Sequence, residues 1–206
     1  MPDAPAAIAC EDVAGDPGFR HLSTVAGIAV DLRYATPYNF AGRDLYSPVD
    51  CAWLHRDAAA GLERAVAWLA LRHPDLTLLV LDALRPQRVQ QQLWDLLAGT
   101  GLQLYLADPA RGSIHSYGMA LDITLRAADG RELDMGTPFD DLTVLSHPAL
   151  EAQFSASGML AAQQLASRRL LRDAMAQAGF VGIATEWWHF DCGDREQVRA
   201  RCRRVL

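Results

Sequence analysis

The chain has 206 residues, of which 19 are basic and 25 acidic, and every basic residue is an arginine. Without lysine, neither a Schiff-base amine nor a phosphate-cradling Gly-Lys-Ser/Thr loop can be built, and a formal net charge of -6 counts against a nucleic-acid partner. Half of the residues are hydrophobic and 21% charged, the balance of a globular chain long enough to bury a full core, so a single domain over 1–206 is expected.

Residues 1–25 are rich in Ala, Pro, Gly and Asp, lack periodicity and read as an irregular N-terminal arm. The arm has neither the positive start nor the apolar core of a signal peptide. The four cysteines, Cys10, Cys51, Cys192 and Cys202, form no Cys-x-x-Cys pair and read as reduced thiols, so a cytoplasmic protein is expected. From Leu54, apolar residues recur at three- and four-residue steps through Ala58, Leu62, Ala65 and Leu69, which predicts a helix to Arg72, stopped by Pro74.

Thr77–Ala83 is short and continuously apolar, as a buried strand is, and Pro86 opens a helix over Gln87–Leu97. Met119–Leu125 and Arg131–Asp134 flank Asp129-Gly130, a hairpin signal. Leu160–Ala178 is helical and closes at Gly179, aromatic-rich Ala184–Asp191 reads as a strand, and Asp194–Arg204 is a last, arginine-studded helix. No internal repeat is present and no apolar run approaches a membrane span, so no membrane partner is expected. The fold class is α+β: a small, mostly antiparallel central sheet flanked by helices.

Among six histidines, His21, His55 and His73 read as surface or structural residues, and His147 as part of a surface loop. His115 and His189 differ in their surroundings. His115 lies in a Ser/Gly loop before the apolar run Ala120-Leu-Asp122-Ile-Thr-Leu, where a carboxylate is costly unless paired or bound to a metal. His189 follows Glu186-Trp-Trp, again an acid and a histidine among bulky apolar residues. His115, Asp122 and His189 make a three-ligand zinc set that leaves a fourth position for water, as a catalytic site needs.

The alternatives at this point are that Asp122 caps a turn and that Glu186 pairs with an arginine. Cys192 also competes as a ligand by His-x-x-Cys spacing, although Asp122 is supplied beside His115 by the first motif. Three residues apart in a regular strand, Glu186 and His189 face opposite sides. A bulge between them, or a Glu186 standing just before the strand, is therefore predicted, with Glu186 as general base rather than ligand. Arg85, directly after the buried strand in Asp82-Ala-Leu-Arg85-Pro86, is the remaining candidate for catalysis.

Together these segments resemble the zinc D-alanyl-D-alanine dipeptidases of the vancomycin-resistance (VanX) type, within the wider group of zinc D,D-peptidases that includes the Hedgehog signalling domain. The pattern S-x-H-x-x-G-x-A-x-D is met by Ser113, His115, Gly118, Ala120 and Asp122, and E-x-W-H by Glu186, Trp188 and His189. Similarity continues through Asp31–Thr36, Asn39–Gly42, Asp134–Asp140 and Arg169 to Phe180.

The resemblance implies one zinc ion held by His115, Asp122 and His189, Glu186 as catalytic base and Arg85 as transition-state stabiliser. It also implies that Ser113, Tyr34 and Asp140 bind the termini of a small D,D-dipeptide such as D-Ala-D-Ala. Three departures bear on substrate preference: Leu84 stands where tyrosine is usual, the Asp-Gly-Tyr usual after Asn-Phe-x-Gly is absent with Tyr46 as its nearest stand-in, and the Arg85–His115 connection is short. Two rivals are a D,D- or L,D-carboxypeptidase acting on cell-wall peptides and a non-catalytic zinc-stabilised binding module. Glu186 favours an enzyme over the latter, because a structural zinc needs no base. Oligomeric state has no signature in the sequence.

Overall fold

The computed structural model describes residues 5–206. A five-stranded sheet, in the order β2-β4-β5-β7-β6, is built from β2 (Ile28–Val30), β4 (Leu76–Asp82), β5 (Ala120–Ala127), β6 (Phe180–Gly182) and β7 (His189–Cys192). Only β2 and β4 run parallel; the other three pairings are antiparallel. A two-stranded antiparallel sheet joins β1 (Phe19–His21) to β3 (Trp53–His55). The helices are α1 (Arg56–Arg72), α2 (Gln87–Leu96), α3 (Glu151–Ala156), α4 (Ala162–Gln177) and α5 (Arg195–Arg201). The α+β class with a mostly antiparallel sheet is therefore the observed one.

Helix α1 forms because Ala58, Leu62, Ala65 and Leu69 line one buried face. That face packs with Leu171 and Met175 of α4 onto Leu78 and Val80 of β4 and Leu121, Ile123 and Leu125 of β5. His55 opens the helix by accepting the Asp57 backbone N–H, so Leu54, expected in the helix, belongs to β3 instead. Helix α4 ends at Ala178 and Gly179, the latter in the left-handed region (φ +89°) that glycine alone adopts at no cost. A second core cluster gathers Val13, Tyr34, Tyr46, Leu84, Val89 and Leu93 beside α2.

Three segments depart from the sequence expectations. Of the N-terminal arm, residues 1–4 lie outside the described residues. The rest is ordered: Phe19, Leu22 and Val25 are buried and β1 pairs with β3, because single apolar residues at irregular intervals dock on existing structure without any periodicity of their own. The return arm of the predicted hairpin shrinks to one bridge, Arg126 to Glu132, with bonds from the Leu133 N–H to the Leu125 carbonyl and from the Ala127 N–H to the Arg131 carbonyl (2.8 Å each). The aromatic strand begins only at His189. Among the described residues, no helix is long and apolar enough to cross a membrane, and all four cysteines are free.

Candidate active site

Strand register brings the chemistry together. Asp82 of β4 stands opposite Asp122 of β5, which stands opposite His189 of β7, so three polar side chains form a row across adjacent strands. Asp82 joins the row only because β4 carries a one-residue bulge between Val80 and Asp82. Without that extra residue Leu81 would face Asp122 and Asp82 would point to the other side of the sheet. His115 enters from the 3-10 turn Ile114–Tyr117 just before β5. The turn closes on Gly118 at φ +63°, where an added Cβ would lie 2.7 Å from the His55 backbone nitrogen. The glycine of the first motif is thus required both by conformation and by the close approach of β3.

His115, Asp122 and His189 are 1%, 2% and 9% exposed, and one donor atom of each converges on a common point. His115 Nε2 lies 3.1 Å from His189 Nδ1, His189 Nδ1 lies 3.1 Å from Asp122 Oδ1, and His115 Nε2 lies 3.3 Å from Asp122 Oδ1. The far nitrogens fix the tautomers. His115 Nδ1 donates to the Ala83 carbonyl (2.8 Å) and His189 Nε2 to Asp191 Oδ1 (2.9 Å), which leaves both inner nitrogens as acceptors when the rings are neutral.

Two bare nitrogens and a carboxylate oxygen at such separations repel one another unless a proton or a metal cation lies between them, and against burial Asp191 and Asp122 raise the His189 pKa to about 10. Tetrahedral zinc with ligand bonds of about 2.0–2.1 Å sets its ligands about 3.3–3.4 Å apart. The donor set therefore fits zinc in type, tautomer and spacing. As protonated rings the two imidazoles act on Asp122 in another way: burial alone would raise its pKa, yet the charge and donated hydrogen bonds of His115 and His189 hold it well below the usual carboxylate range.

Glu186 stands just before β7, on the irregular segment 183–188, which resolves the three-residue spacing from His189 as one of the two predicted ways. The Ala184–Asp191 strand expectation fails because Trp187 and Trp188 act as anchors rather than strand residues. Trp187 donates its indole N–H to Thr137 Oγ1 (2.8 Å), while buried Trp188 packs edge-on against Phe139 with ring centroids 5.5 Å apart. Immediately before these anchors, Glu186 lines a cavity of about 320 Å³ that is also lined by Arg85, Ser113, His115, His189 and Tyr105. Burial pushes the Glu186 pKa up to about 7.

Arg85 is 6% exposed and heavily bonded. Its Nε donates to Asp82 Oδ2 (2.9 Å), Nη1 to Gln90 Oε1 (3.2 Å) and Nη2 to Asp122 Oδ2 (3.1 Å), and Nη2 also lies 2.7 Å from Asp82 Oδ2. The guanidinium lies over the Tyr34 ring, 4.9 Å from its centroid. Asp82 in turn accepts from the Tyr46 hydroxyl (2.5 Å), so Tyr46 stands in this chain at the far end of the Arg85 scaffold.

The structure places Ser113 on the cavity wall, and Tyr34 and Asp140 behind Arg85, outside that wall. The Tyr34 hydroxyl donates to Asp140 Oδ1 (3.0 Å), whereas Asp140 Oδ2 is buried without a hydrogen-bond partner. Asp140 adopts φ +62°, an uncommon value for a residue with a side chain, and burial together with the charge of Asp122 raises its pKa well above the carboxylate range. His147 bonds to the Tyr105 hydroxyl (3.0 Å), one step from the cavity, and Cys192 lies outside the converging donor set.

Three site-building residues escape the sequence reading. Asp191 grips His189 and is itself held by Arg195 (2.6 Å). Its signal is the strand alternation that puts 189 and 191 on one face. Asp82 carries the signal that singled out Asp122, an acid in an apolar strand. Arg168, 1% exposed, donates to the carbonyls of Met135 (2.7 Å) and Leu145 (3.1 Å) and so pins the segment bearing Thr137 and Asp140; nothing distinguishes it in sequence from eighteen other arginines.

The chain matches the D-Ala-D-Ala dipeptidase family of M15 peptidases over residues 18–204. It is 38% identical over 164 residues to the D-alanyl-D-alanine dipeptidase of Escherichia coli (strain K12), covering 80% of this chain and 78% of that one. It is 32% identical over 164 residues to the enzyme of the same name from Synechocystis sp., 65% of this chain and 66% of that one. Against that of Enterococcus faecium it is 31% identical over 194 residues, covering 84% of this chain and 90% of the relative. The matched span contains every residue of the donor triangle, its flanking acid and the buried arginine, and on this likeness the chain belongs to the D-Ala-D-Ala dipeptidase family of M15 peptidases.

Proposed function

We propose that this chain hydrolyses the amide bond of D-Ala-D-Ala, with zinc held by His115, Asp122 and His189. The observation that carries the reading is the triangle of inward-facing donors at 3.1–3.3 Å with Glu186 on the wall of the same cavity. A zinc ion bound there lowers the pKa of water toward neutrality and polarises a carbonyl oxygen.

Glu186 takes the proton of the attacking water at its carboxylate and returns a proton to the leaving amine. A carboxyl raised to about 7 is matched to both transfers near neutral pH. Arg85 supplies fixed positive charge to the oxyanion that develops on the scissile carbonyl. Of its five N–H groups, four are directed to Asp82, Gln90 and Asp122, which leaves one Nη1–H to donate. The Ser113 hydroxyl, on the cavity wall, suits an acceptor oxygen of the dipeptide. The cavity of about 320 Å³ matches a substrate of two small residues.

Metal analysis of the purified protein, coupled to measurement of D-alanine released from D-Ala-D-Ala with and without chelator, tests this reading. One zinc per chain and release abolished by chelation and restored by zinc are expected. Zinc-loaded protein that releases no D-alanine, or release indifferent to chelator, overturns it.

A further inference from the structure

The catalytic proposal leaves two arginines on the cavity wall without a part in binding substrate. Arg195 and Arg199 lie one turn apart on α5, so both project from the same helix face, and both line the cavity that holds Glu186 and His189. Each is only partly occupied. Arg195 spends Nε and Nη2 on Asp191 Oδ2 (2.6 Å each), and among the described residues its Nη1 has no partner. Arg199 donates Nη1 to Glu196 (2.8 Å) and Nε to the Gly112 carbonyl (3.3 Å), with Nη2 unpartnered among the described residues. Arg85, the other cation on this wall, is buried and nearly saturated.

We propose that Arg195 and Arg199 form the subsite for the free C-terminal carboxylate of the substrate, and thereby restrict the enzyme to peptides that end one residue beyond the scissile bond. The inference rests on the dipeptidase reading of the metal centre. Placement supports it: both guanidinium groups line the cavity that His115, Glu186 and His189 also line.

Arg199 lines the same cavity from the next turn of α5, bonded to the carbonyl of Gly112, the residue before Ser113. A carboxylate between them accepts charge-assisted bonds from two guanidinium forks, whereas a C-terminal amide gains little and a chain continuing past this point meets the helix. Selectivity thus comes from α5, outside both family motifs.

The test compares Arg199→Gln, Arg199→Lys and the double variant Arg195→Gln/Arg199→Gln with the wild type. Zinc content is measured first, then kcat and KM on D-Ala-D-Ala and on its C-terminal amide. The wild type is expected to favour the free acid. Arg199→Gln should lower kcat/KM for the acid about tenfold to a hundredfold, chiefly through KM, and for the amide far less, at unchanged zinc content; Arg199→Lys should recover part of the loss. An acid-to-amide ratio that stays at the wild-type value in both Arg199→Gln and the double variant overturns the subsite. A zinc-loaded wild type inert towards both substrates instead overturns the dipeptidase reading, and the subsite with it.

Discussion

Asp191→Asn separates metal affinity from catalysis at this site. Asp191 is 4% exposed, and each of its oxygens has a charged or polar partner: Oδ1 accepts from His189 Nε2 at 2.9 Å and Oδ2 from Arg195 at 2.6 Å. Burial disfavours its charge, yet His189 and Arg195 bring its pKa to about 2, so the acceptor is an ionised carboxylate throughout the neutral range. An asparagine has the same shape but only one acceptor oxygen.

If the amide oxygen faces His189, the amide N–H groups point at the Arg195 guanidinium, donor against donor. If the amide is reversed, its N–H points at Nε2 and favours the tautomer with the proton on Nδ1, the atom that must face the metal. Either arrangement leaves a buried donor unsatisfied, worth about 1–3 kcal/mol, equal to about a tenfold to hundredfold loss at 1.4 kcal/mol per decade. Loss of a carboxylate behind a metal-binding histidine spans the same range. Competition with a chromophoric chelator should show the zinc Kd raised about tenfold to a hundredfold, while kcat at saturating zinc changes far less. A zinc Kd within twofold of wild type would refute the reasoning.

Two further substitutions address the base and the arginine scaffold. Glu186→Gln keeps size and polarity while removing the proton acceptor, so kcat should fall by about 10²–10⁴ with the zinc Kd preserved. Steady-state kinetics on the metal-loaded variant decides this, and retention of wild-type turnover would take Glu186 out of the reaction. Asp82→Ala removes the carboxylate that Arg85 grips twice and leaves a buried guanidinium facing an empty space. Urea unfolding should then report a loss of about 3–5 kcal/mol. A loss under 1 kcal/mol would mean that Asp122 and Gln90 hold Arg85 unaided.

Legibility in the sequence followed how local the determining physics is. Strand β4, helix α1 and the strand carrying Asp122 each bury a continuous or periodic apolar face, and their limits were readable within a residue or two. The converging donor atoms were readable because a polar residue in an apolar run needs a partner, and three such residues lay in two short motifs. The N-terminal strand was not readable, since β1 is three residues long and exists by pairing with β3, remote in sequence. The segment at Trp187 and Trp188 reads as a strand by β-propensity, but tertiary anchoring to Thr137 and Phe139 overrides that preference. The bulge that turns Asp82 toward Asp122 has no signature in Leu-Val-Leu-Asp at all. Yet it decides whether Arg85 finds a buried counterion.

Two chains of alternating charge leave the donor triangle in different directions, and both require arginine. One runs from His189 through Asp191 to Arg195 at the cavity wall. The other runs from Asp122 through Arg85 to Asp82 and ends on Tyr46 in the second core cluster. At residue 85 a single side chain must meet carboxylates on two strands and an amide on α2 while lying flat over Tyr34. A planar guanidinium with five fixed donors does this. A lysine ammonium has three donors on one atom, so it cannot span Asp82, Asp122 and Gln90 at once. At Arg195 the fork likewise holds Asp191 with one edge and keeps Nη1 for the cavity. The charges on these arginines do not titrate near neutral pH. On the proposed reading, proton transfer is left to Glu186, whose carboxyl burial raises to about 7.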